Sequence, residues 1–171
     1  MANTTAISAI SVIDADMLLE HWQGHRRLTR KVIEAFPEKE LYTHSIGGMR
    51  PFAELAMEML KLAAGIHGVT GGAWDECKHY SWYGEDYTPP ATKEELLAAW
   101  DDVTAELNDN WNKITAERFR ERVNPFGNES WGGPAYSIIQ YFIDNEIHHR
   151  GQGYVYLRSL GITPPGFWER W

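Results

Sequence analysis

Apolar residues recur every three to four positions in four separate segments of this sequence, and this pattern limits the fold more than any other feature. The segments cover residues 14–36, 51–66, 92–114 and 134–160, and each is long enough for a helix that buries one face. No alternation of apolar and polar residues indicates a β-strand between them. A chain of 171 residues has the length of one domain with one core. The sequence therefore predicts an all-α four-helix bundle in which residues 1–171 form a single domain.

The ends of the four segments carry helix start and stop signals. Pro37 follows the first segment, and Pro51 stands at the start of the second, where a proline suits the first turn of a helix. Thr92 precedes Glu95 by three residues, which is the spacing of a capping box, so the third helix begins there. Gly161 follows the fourth segment and provides a C-terminal stop. These signals support the boundaries that the periodicity indicates.

The connection between the second and third helices is long and rich in aromatic residues. It covers residues 67–91. A connection of this length inside a compact domain is usually functional or a crossover, and it would let the two helices run parallel. An aromatic cover over one end of the bundle would suit an apolar or thiol-conjugated small molecule. The aromatic residues are Trp74, Tyr80, Trp82, Tyr83 and Tyr87.

Charge and cysteine content exclude several classes of function. The net charge of −8, with scattered lysines and arginines, argues against nucleic acid or an anionic membrane surface as the partner. No apolar run reaches the roughly 18 residues that a membrane span needs, and residues 1–10 lack the pattern of a secretion signal. The single Cys77 excludes an intrachain disulfide and is typical of a reducing compartment. We therefore predict a cytoplasmic protein that binds neither nucleic acid nor membranes.

Polar residues interrupt the apolar face of the fourth helix. The stripe that includes Ile138 and Phe142 continues by steps of three and four through Asn145, His149 and Gln152. A buried polar group without a partner costs about 1–3 kcal/mol. Three such groups on one inward face indicate a ligand, a metal ion or a satisfied hydrogen-bond network.

Two runs of residues resemble one protein family. Residues 148–152 read His-His-Arg-Gly-Gln, and residues 45–50, before the second helix, read Ser-Ile-Gly-Gly-Met-Arg. Both runs resemble the corresponding parts of the DinB family, four-helix-bundle proteins described as metal-dependent hydrolases or thiol transferases. The resemblance implies an up-down-down-up bundle, a divalent metal ion and a small-molecule substrate, with a low-molecular-weight thiol as one candidate.

The metal centre of that family uses three histidines, one on the second helix and two on the fourth at i and i+4. Carried across residue by residue, these positions fall on Glu58, Asn145 and His149, so one of the three is histidine here. A carboxylate still binds zinc, nickel or manganese, whereas a neutral amide is a weak ligand for these ions. The resemblance thus implies a metal-dependent enzyme for thiol transfer or hydrolysis, with its site between the first, second and fourth helices. In this scheme His148 or His25 transfers protons.

Each of these residues also has an interpretation without catalysis. Glu58 could pair with an arginine or lysine at the edge of the core, His149 could make a structural hydrogen bond, and Asn145 could fix the helix register. His21 and His25, also spaced i and i+4, form a pair that often arises by chance. The alternative function is a binding or stress-response protein of the same family that has lost its metal centre.

Further features concern packing and assembly. Gly151 and Gly153 each cost roughly 1 kcal/mol relative to alanine inside a helix, so they indicate close packing against a neighbouring helix. Arg150 and Arg158 are expected to tie the fourth helix to carboxylates rather than to bind an anionic substrate. Trp168 and Trp171, together with the habit of the resembling family, favour a homodimer, the alternative being that these residues fold back on their own chain.

Overall fold

The computed structural model describes residues 13–77 and 88–171, and within them the predicted all-α class is confirmed. The four long helices α1, α3, α5 and α6 correspond to the four predicted segments. Much of the predicted aromatic connection, including Tyr80, Trp82, Tyr83 and Tyr87, lies outside the described residues. The helices are α1 (Ala15–Ala35), α2 (Glu38–Thr43), α3 (Phe52–Ala64), α4 (Ile66–Val69), α5 (Lys93–Trp111) and α6 (Ala135–Ser159), with short 3₁₀ helices at Trp74–Glu76, Arg118–Arg120 and Pro125–Gly127.

Local signals in the sequence set the helix ends. Asp14 caps α1, where its side chain accepts a hydrogen bond from the Met17 amide at 2.8 Å. The predicted capping box of α5 is present, because Thr92 Oγ1 accepts from the Glu95 amide and Glu95 Oε2 accepts from the Thr92 amide, both at 3.2 Å. Helix α6 ends before Gly161, whose φ of 76° is a left-handed conformation that glycine adopts without strain.

The structure differs from the sequence prediction at helix ends and in the connections between helices. The second predicted helix runs to residue 66, whereas α3 ends at Ala64 and Gly65 separates it from α4. The connection between α5 and α6 holds an antiparallel pair of two-residue strands, β1 (Arg122–Val123) and β2 (Gly133–Pro134). Strands this short contain too few residues for an alternating pattern, so periodicity could not predict them.

The long helices pack so that α1 and α3 each contact both α5 and α6. Along α1 and α6 the numbers of the paired residues rise together, so these two helices are parallel. Along α1 and α5 they run in opposite senses, so this pair is antiparallel. The pairs are Trp22 with Phe142 and Arg26 with Glu146 for α1 and α6, and Gln23 with Asn108 and Arg30 with Asp101 for α1 and α5.

A close approach joins α3 to α6. A Cβ at Gly153 would lie 2.4 Å from the Phe52 ring, which confirms the predicted close packing at Gly153. The same prediction is wrong for Gly151, where a Cβ would meet none of the described atoms within 4 Å. Because Phe52 faces Gly153 and Glu58 faces His149, α3 and α6 are antiparallel. Helices α1 and α6 therefore run one way and α3 and α5 the other.

The apolar faces of the four long helices meet in one core. Trp22 and Trp100 are almost completely buried, and the stacked rings of Phe36 and Phe52, with centroids 4.8 Å apart, fill the region between α1 and α3. Among the described residues, no helix combines the length and the apolar character needed to cross a bilayer.

Candidate functional site

Glu58, Asn145 and His149 come together between α3 and α6, which correspond to the second and fourth predicted helices. Asn145 Nδ2 donates a hydrogen bond to Glu58 Oε1 at 3.0 Å, and His149 Nε2 lies 3.0 Å from the same oxygen. Asn145 and His149 are one helical turn apart, so both can face α3. The close contact between Phe52 and Gly153 brings the two helices near enough for the short asparagine side chain to reach Glu58.

Arg50 completes this group from the segment that precedes α3. Its Nη2 donates to Glu58 Oε2 at 2.5 Å, so both oxygens of the carboxylate accept hydrogen bonds. Tyr156 on α6 donates through its hydroxyl to the Arg50 carbonyl at 2.9 Å and holds this segment against the bundle. The Glu58 side chain is 18% exposed and that of Arg50 is 45% exposed, so the group lies at the edge of the core. The sequence suggested an arginine or lysine partner for Glu58 but did not indicate which one.

Gln152 and His148 extend the group along α6. His149 Nδ1 lies 2.9 Å from Gln152 Oε1, and Gln152 Nε2 lies 3.5 Å from His148 Nε2 on the exposed side of the helix. Both ring nitrogens of His149 thus face acceptor oxygens, an arrangement that suits the doubly protonated imidazolium. We call Arg50, Glu58, Asn145, His149 and Gln152 the Glu58 cluster; His148 lies at its edge, and its catalytic role stays a prediction.

The Glu58 cluster contains an ion pair. Hydrogen bonds from His149, and then from Arg50 and Asn145, together outweigh the opposing effect of burial and lower the pKa of Glu58 from 4.5 to about 2. Burial alone would lower the pKa of His149, but its hydrogen bonds with Glu58 and Gln152 outweigh burial and raise it. The two shifts describe the same interaction from both sides, so an ionised Glu58 facing a protonated His149 is the favoured state.

His25 lies in a different set of hydrogen bonds, between α1, α6 and the C-terminal segment. Its Nδ1 accepts from Arg150 Nη2 at 2.9 Å, and its Nε2 lies 3.2 Å from His21 Nε2 and 3.3 Å from Arg170 Nη1. Burial, and then the neighbouring Arg150, His21 and Arg170, lower the pKa of His25 to about 3, so its ring is neutral at ordinary pH. The hydrogen-bond partners of His25 all lie outside the Glu58 cluster. Its role in proton transfer stays a prediction.

A buried charged group on α1 and α6 was not predicted. The Glu146 side chain is 1% exposed and lies 3.8 Å from Arg26 Nη1 and 4.0 Å from Arg150 Nη1. Thr29 Oγ1 is 2.7 Å from Glu146 Oε1, and Arg150 Nη1 donates to Thr29 Oγ1 at 3.1 Å. The Arg26 guanidinium also lies 3.6 Å from the centre of the Trp100 ring. We call Arg26, Thr29, Glu146 and Arg150 the Glu146 cluster; only the expectation that Arg150 binds a carboxylate anticipated any part of it.

A cleft of about 320 Å³ borders the Glu58 cluster on the outer side of α3. Its walls combine apolar side chains with charged groups at one edge, and burial raises the pKa of Tyr42 in its wall to about 12, so that hydroxyl remains a hydrogen-bond donor. The lining residues are Tyr42, Arg50, Ala53, Glu54, Met57, Glu58, Lys61, Pro89 and Pro90.

The sequence and the fold of this chain both match those of known proteins. The model of the DinB family matches residues 1–171. This chain belongs to the DinB family. Solved structures of two family members share its fold: a DinB-like protein from Bacillus cereus ATCC 10987, with a TM-score of 0.69, and the DinB-like protein YjoA from Bacillus subtilis, with a TM-score of 0.66. Their sequence identities are 19% and 18%; the matches cover 90% and 88% of this chain and 97% and 96% of theirs.

One protein related to this chain in sequence is itself uncharacterized. The chain is 28% identical over 95 residues to the uncharacterized protein YrdA of Bacillus subtilis strain 168. This match covers 51% of the present chain and 53% of YrdA, so the chain spans about half the length of that relative. The family match and the two solved structures therefore establish the family and the fold of this chain.

The donor set of the Glu58 cluster does not fit the three-histidine metal centre that the resemblance implied. Asn145 presents its amide nitrogen to Glu58, and an amide nitrogen has no lone pair for a metal ion. His149 directs its Nε2 at the Glu58 carboxylate at 3.0 Å, so a metal ion would have to break this contact before the imidazole could ligate it. Within residues 13–77 and 88–171, no three His, Cys, Asp or Glu side chains form a group that could hold a metal ion.

Proposed function

We propose that this DinB family member is a binding protein in which the Glu58 cluster has replaced the metal centre, and that it acts without metal-dependent catalysis. The observation that supports this proposal is the full occupation of the Glu58 carboxylate. Arg50 bonds one oxygen, whereas Asn145 and His149 bond the other. Charge-assisted hydrogen bonds of this kind are about twice as strong as neutral ones. The guanidinium and imidazolium thus supply the positive charge that a metal ion would otherwise bring to this carboxylate.

Metal binding would have to disrupt this group. The ion would displace the proton of His149 and compete with Arg50 for Glu58, and it would gain only a weak amide ligand from Asn145. Each of these steps reduces the net affinity for zinc, nickel or manganese. The Glu58 cluster is therefore better suited to fix α3 and α6 beside the neighbouring cleft than to activate a bound water or thiol.

The cleft beside Glu58 supplies the binding site in this proposal. Its volume of about 320 Å³ suits a small molecule. Met57, Tyr42 and the two prolines at 89 and 90 offer apolar contacts, and Arg50 lies at the polar edge. A low-molecular-weight thiol with a carboxylate has this combination of a short apolar part and a charged end, so reduced glutathione is a suitable first probe.

The absence of metal dependence can be measured directly. Protein purified without a His-tag is expected to contain less than stoichiometric metal, and Zn²⁺, Ni²⁺ or Mn²⁺ is expected to leave its thermal unfolding temperature unchanged, because only ligands that bind the folded state stabilise it. Elemental analysis and thermal unfolding with each ion provide the two readouts. Stoichiometric metal that disappears in the His149→Ala variant would instead support a metal-dependent thiol transferase or hydrolase and reject the proposal.

Binding in the cleft requires a separate experiment. Reduced glutathione is expected to raise the thermal unfolding temperature of the wild-type protein, and Met57→Arg is expected to remove this effect because the longer charged side chain fills the cleft. At ten to a hundred times the dissociation constant, the stabilisation amounts to about 1.4–2.7 kcal/mol. Met17→Arg is the matched control, since Met17 is 59% exposed on α1 and does not line the cleft. Equal stabilisation of wild type and Met57→Arg would place the binding site elsewhere.

A further inference from the structure

The partly buried side chain of Arg170, in the C-terminal segment that covers residues 162–171, lies against the buried His25 and has no carboxylate partner. Its Nη1 is 3.3 Å from His25 Nε2, and its buried Nε bonds to none of the residues in the ranges 13–77 and 88–171. A guanidinium is always charged and has only N–H donors, and carboxylate and phosphate oxygens are its best-matched acceptors. Among the described residues, the charge of Arg170 is therefore not balanced by an ion pair.

The position of the proton on His25 makes its contact with Arg170 a poor one. His25 is 4% exposed, and its Nδ1 accepts a hydrogen bond from Arg150 Nη2 at 2.9 Å, because a guanidinium can only donate. The neutral ring then carries its proton on Nε2. Arg170 Nη1 consequently faces an N–H group, and two donors do not form a hydrogen bond with each other.

His21 brings a further donor to the same side of His25. Its Nε2 lies 3.2 Å from His25 Nε2 and is the acceptor for the proton of that nitrogen. When His21 is neutral, its own proton is then on Nδ1, which bonds to none of the described residues, and the side chain is exposed. His21 and Arg170 thus present N–H donors without acceptors beside one buried imidazole.

The acidic residues of this surface have partners of their own. Glu20 Oε1 accepts a hydrogen bond from Arg27 Nη2 at 2.6 Å. Glu169 Oε1 accepts from the Gly166 amide at 2.8 Å, and its Oε2 lies 3.8 Å from Lys31 Nζ. Neither carboxylate forms an ion pair with Arg170, so this part of the described chain has more donors than acceptors.

Contacts that do not involve its charge hold Arg170 against α1. Arg27 Nε donates to the Arg170 carbonyl at 2.8 Å, and Lys31 Nζ donates to the Glu169 carbonyl at 3.0 Å. Gly24 permits the close approach of the segment, because a Cβ at Gly24 would lie 3.3 Å from Arg170 Cβ. The guanidinium is therefore placed before any ligand arrives, which reduces the entropic cost of binding.

We propose that the surface between α1 and the C-terminal segment binds an oxyanion, the phosphate or carboxylate group of a small molecule, with Arg170 and His21 as donors and His25 as the residue that positions both. The oxygens of such a group accept hydrogen bonds, so they satisfy the donors that the chain leaves without acceptors. The guanidinium can donate two parallel N–H bonds to one phosphate or carboxylate. This site lies on the α1 side of α6 and the Glu58 cluster on the α3 side, so the two sites are separate.

Two histidines at i and i+4 are also a common arrangement for a metal ion, and the charges around this pair argue against one. A metal ion at His25 Nε2 would require the proton of the neutral ring to move to Nδ1, where it would face the Arg150 donor. Burial, and then Arg150, His21 and Arg170, lower the pKa of His25 to about 3, and the same positive neighbours would repel a metal cation. These surroundings favour an anion.

Inorganic phosphate and acetate are the probes for this site, with sodium chloride at equal ionic strength as the reference. Proton–carbon NMR spectra of the histidine rings at neutral pH are expected to show saturable shifts of the His21 and His25 resonances with phosphate, with acetate or with both. The anion with the lower dissociation constant identifies the preferred oxyanion group. If neither anion shifts these resonances beyond the effect of chloride, the proposal is overturned.

Variants of Arg170 test the main donor. Arg170→Met removes the guanidinium and is expected to raise the dissociation constant of the preferred anion at least about tenfold, because hydrogen bonds to a charged group are lost. Arg170→Lys keeps the charge without the planar pair of donors, so its dissociation constant is expected to lie between those of wild type and Arg170→Met. Arg120→Met is the matched control, since Arg120 is an exposed arginine in the connection between α5 and α6, and it is expected to stay within about twofold of the wild type.

Two further variants separate this site from the rest of the molecule. His21→Phe removes the exposed donor and is expected to weaken binding at least about threefold. Met57→Arg, which fills the cleft beside Glu58, is expected to bind the anion as the wild type does, so the two sites can fail independently. Circular dichroism verifies that all variants remain folded. Equal affinity of wild type and Arg170→Met would overturn the proposal, as would an equal loss of affinity in Arg170→Met and Arg120→Met.

Discussion

Replacement of Glu146 with leucine is expected to lower the free energy of unfolding by about 3–5 kcal/mol, the cost of leaving buried charges without their partner. Glu146 is the carboxylate that faces both Arg26 and Arg150. Side-chain exposures of 0% for Arg26 and 8% for Arg150 mean that water cannot replace it. Burial disfavours the charged form of both arginines and lowers their pKa, and the neighbouring Glu146 opposes this shift. Urea-induced unfolding of wild type and variant measures the difference.

Two further variants separate the charge of Glu146 from its shape. Glu146→Gln keeps the hydrogen bond with Thr29 but removes the charge, so its effect should lie between those of wild type and Glu146→Leu. The double variant Arg26→Met/Glu146→Leu removes one of the two unpaired cations and is expected to recover a substantial part of the lost stability. If Glu146→Leu costs less than about 1 kcal/mol, the Glu146 cluster is better solvated than its burial indicates.

The sequence predicted the fold well where a local rule determines the structure. The fourth predicted helix, residues 134–160, agrees with α6 to within one residue at each end, because Pro134 and Gly161 are local signals that act within one turn. At the start of α5, Thr92 and Glu95 form the expected capping box, whereas the predicted end of this helix at residue 114 lies beyond its observed end at Trp111. Boundaries were wrong only where no such rule applied, as at the break of α3 before Gly65.

The candidate site was predicted in part. Asn145 and His149 face α3 because spacing along one helix determines which residues share a face, and the family resemblance supplied Glu58. Arg50 was missed as a partner because it reaches Glu58 from a non-helical segment eight residues earlier, a contact that helical spacing does not describe. The Glu146 cluster was missed for another reason: a charged residue is normally exposed, and the ion pairs that Glu146 makes with Arg26 on α1 and Arg150 on α6 depend on tertiary packing, which periodicity does not describe.

Replacement of Glu58 with glutamine is expected to remove up to about 3 kcal/mol of stability, with a pH dependence that identifies the ion pair. The fold lowers the pKa of Glu58 from 4.5 to about 2, so it stabilises the ionised carboxylate. The contribution of this group is therefore present above about pH 4.5 and is lost as the pH falls towards about 2. At 18% exposure, solvent screens the group only in part.

Loss of the proton from His149 weakens its ion pair with Glu58 as the pH rises. Its pKa is raised above 6.5, so its contribution is complete below about pH 6.5 and is lost as the pH rises through the raised value. The difference in unfolding free energy between wild type and Glu58→Gln should therefore be largest between about pH 4.5 and 6.5 and decrease on both sides. Urea-induced unfolding at pH values below, within and above this range measures the difference. Glu54→Gln is the control, since Glu54 is an exposed glutamate on the same helix. Its unfolding free energy is expected to remain within about 0.5 kcal/mol of that of the wild type at every pH. A difference in unfolding free energy that does not decrease above about pH 6.5 would mean that His149 is neutral in the folded protein. The imidazolium that opposes metal binding in the proposed function would then be absent.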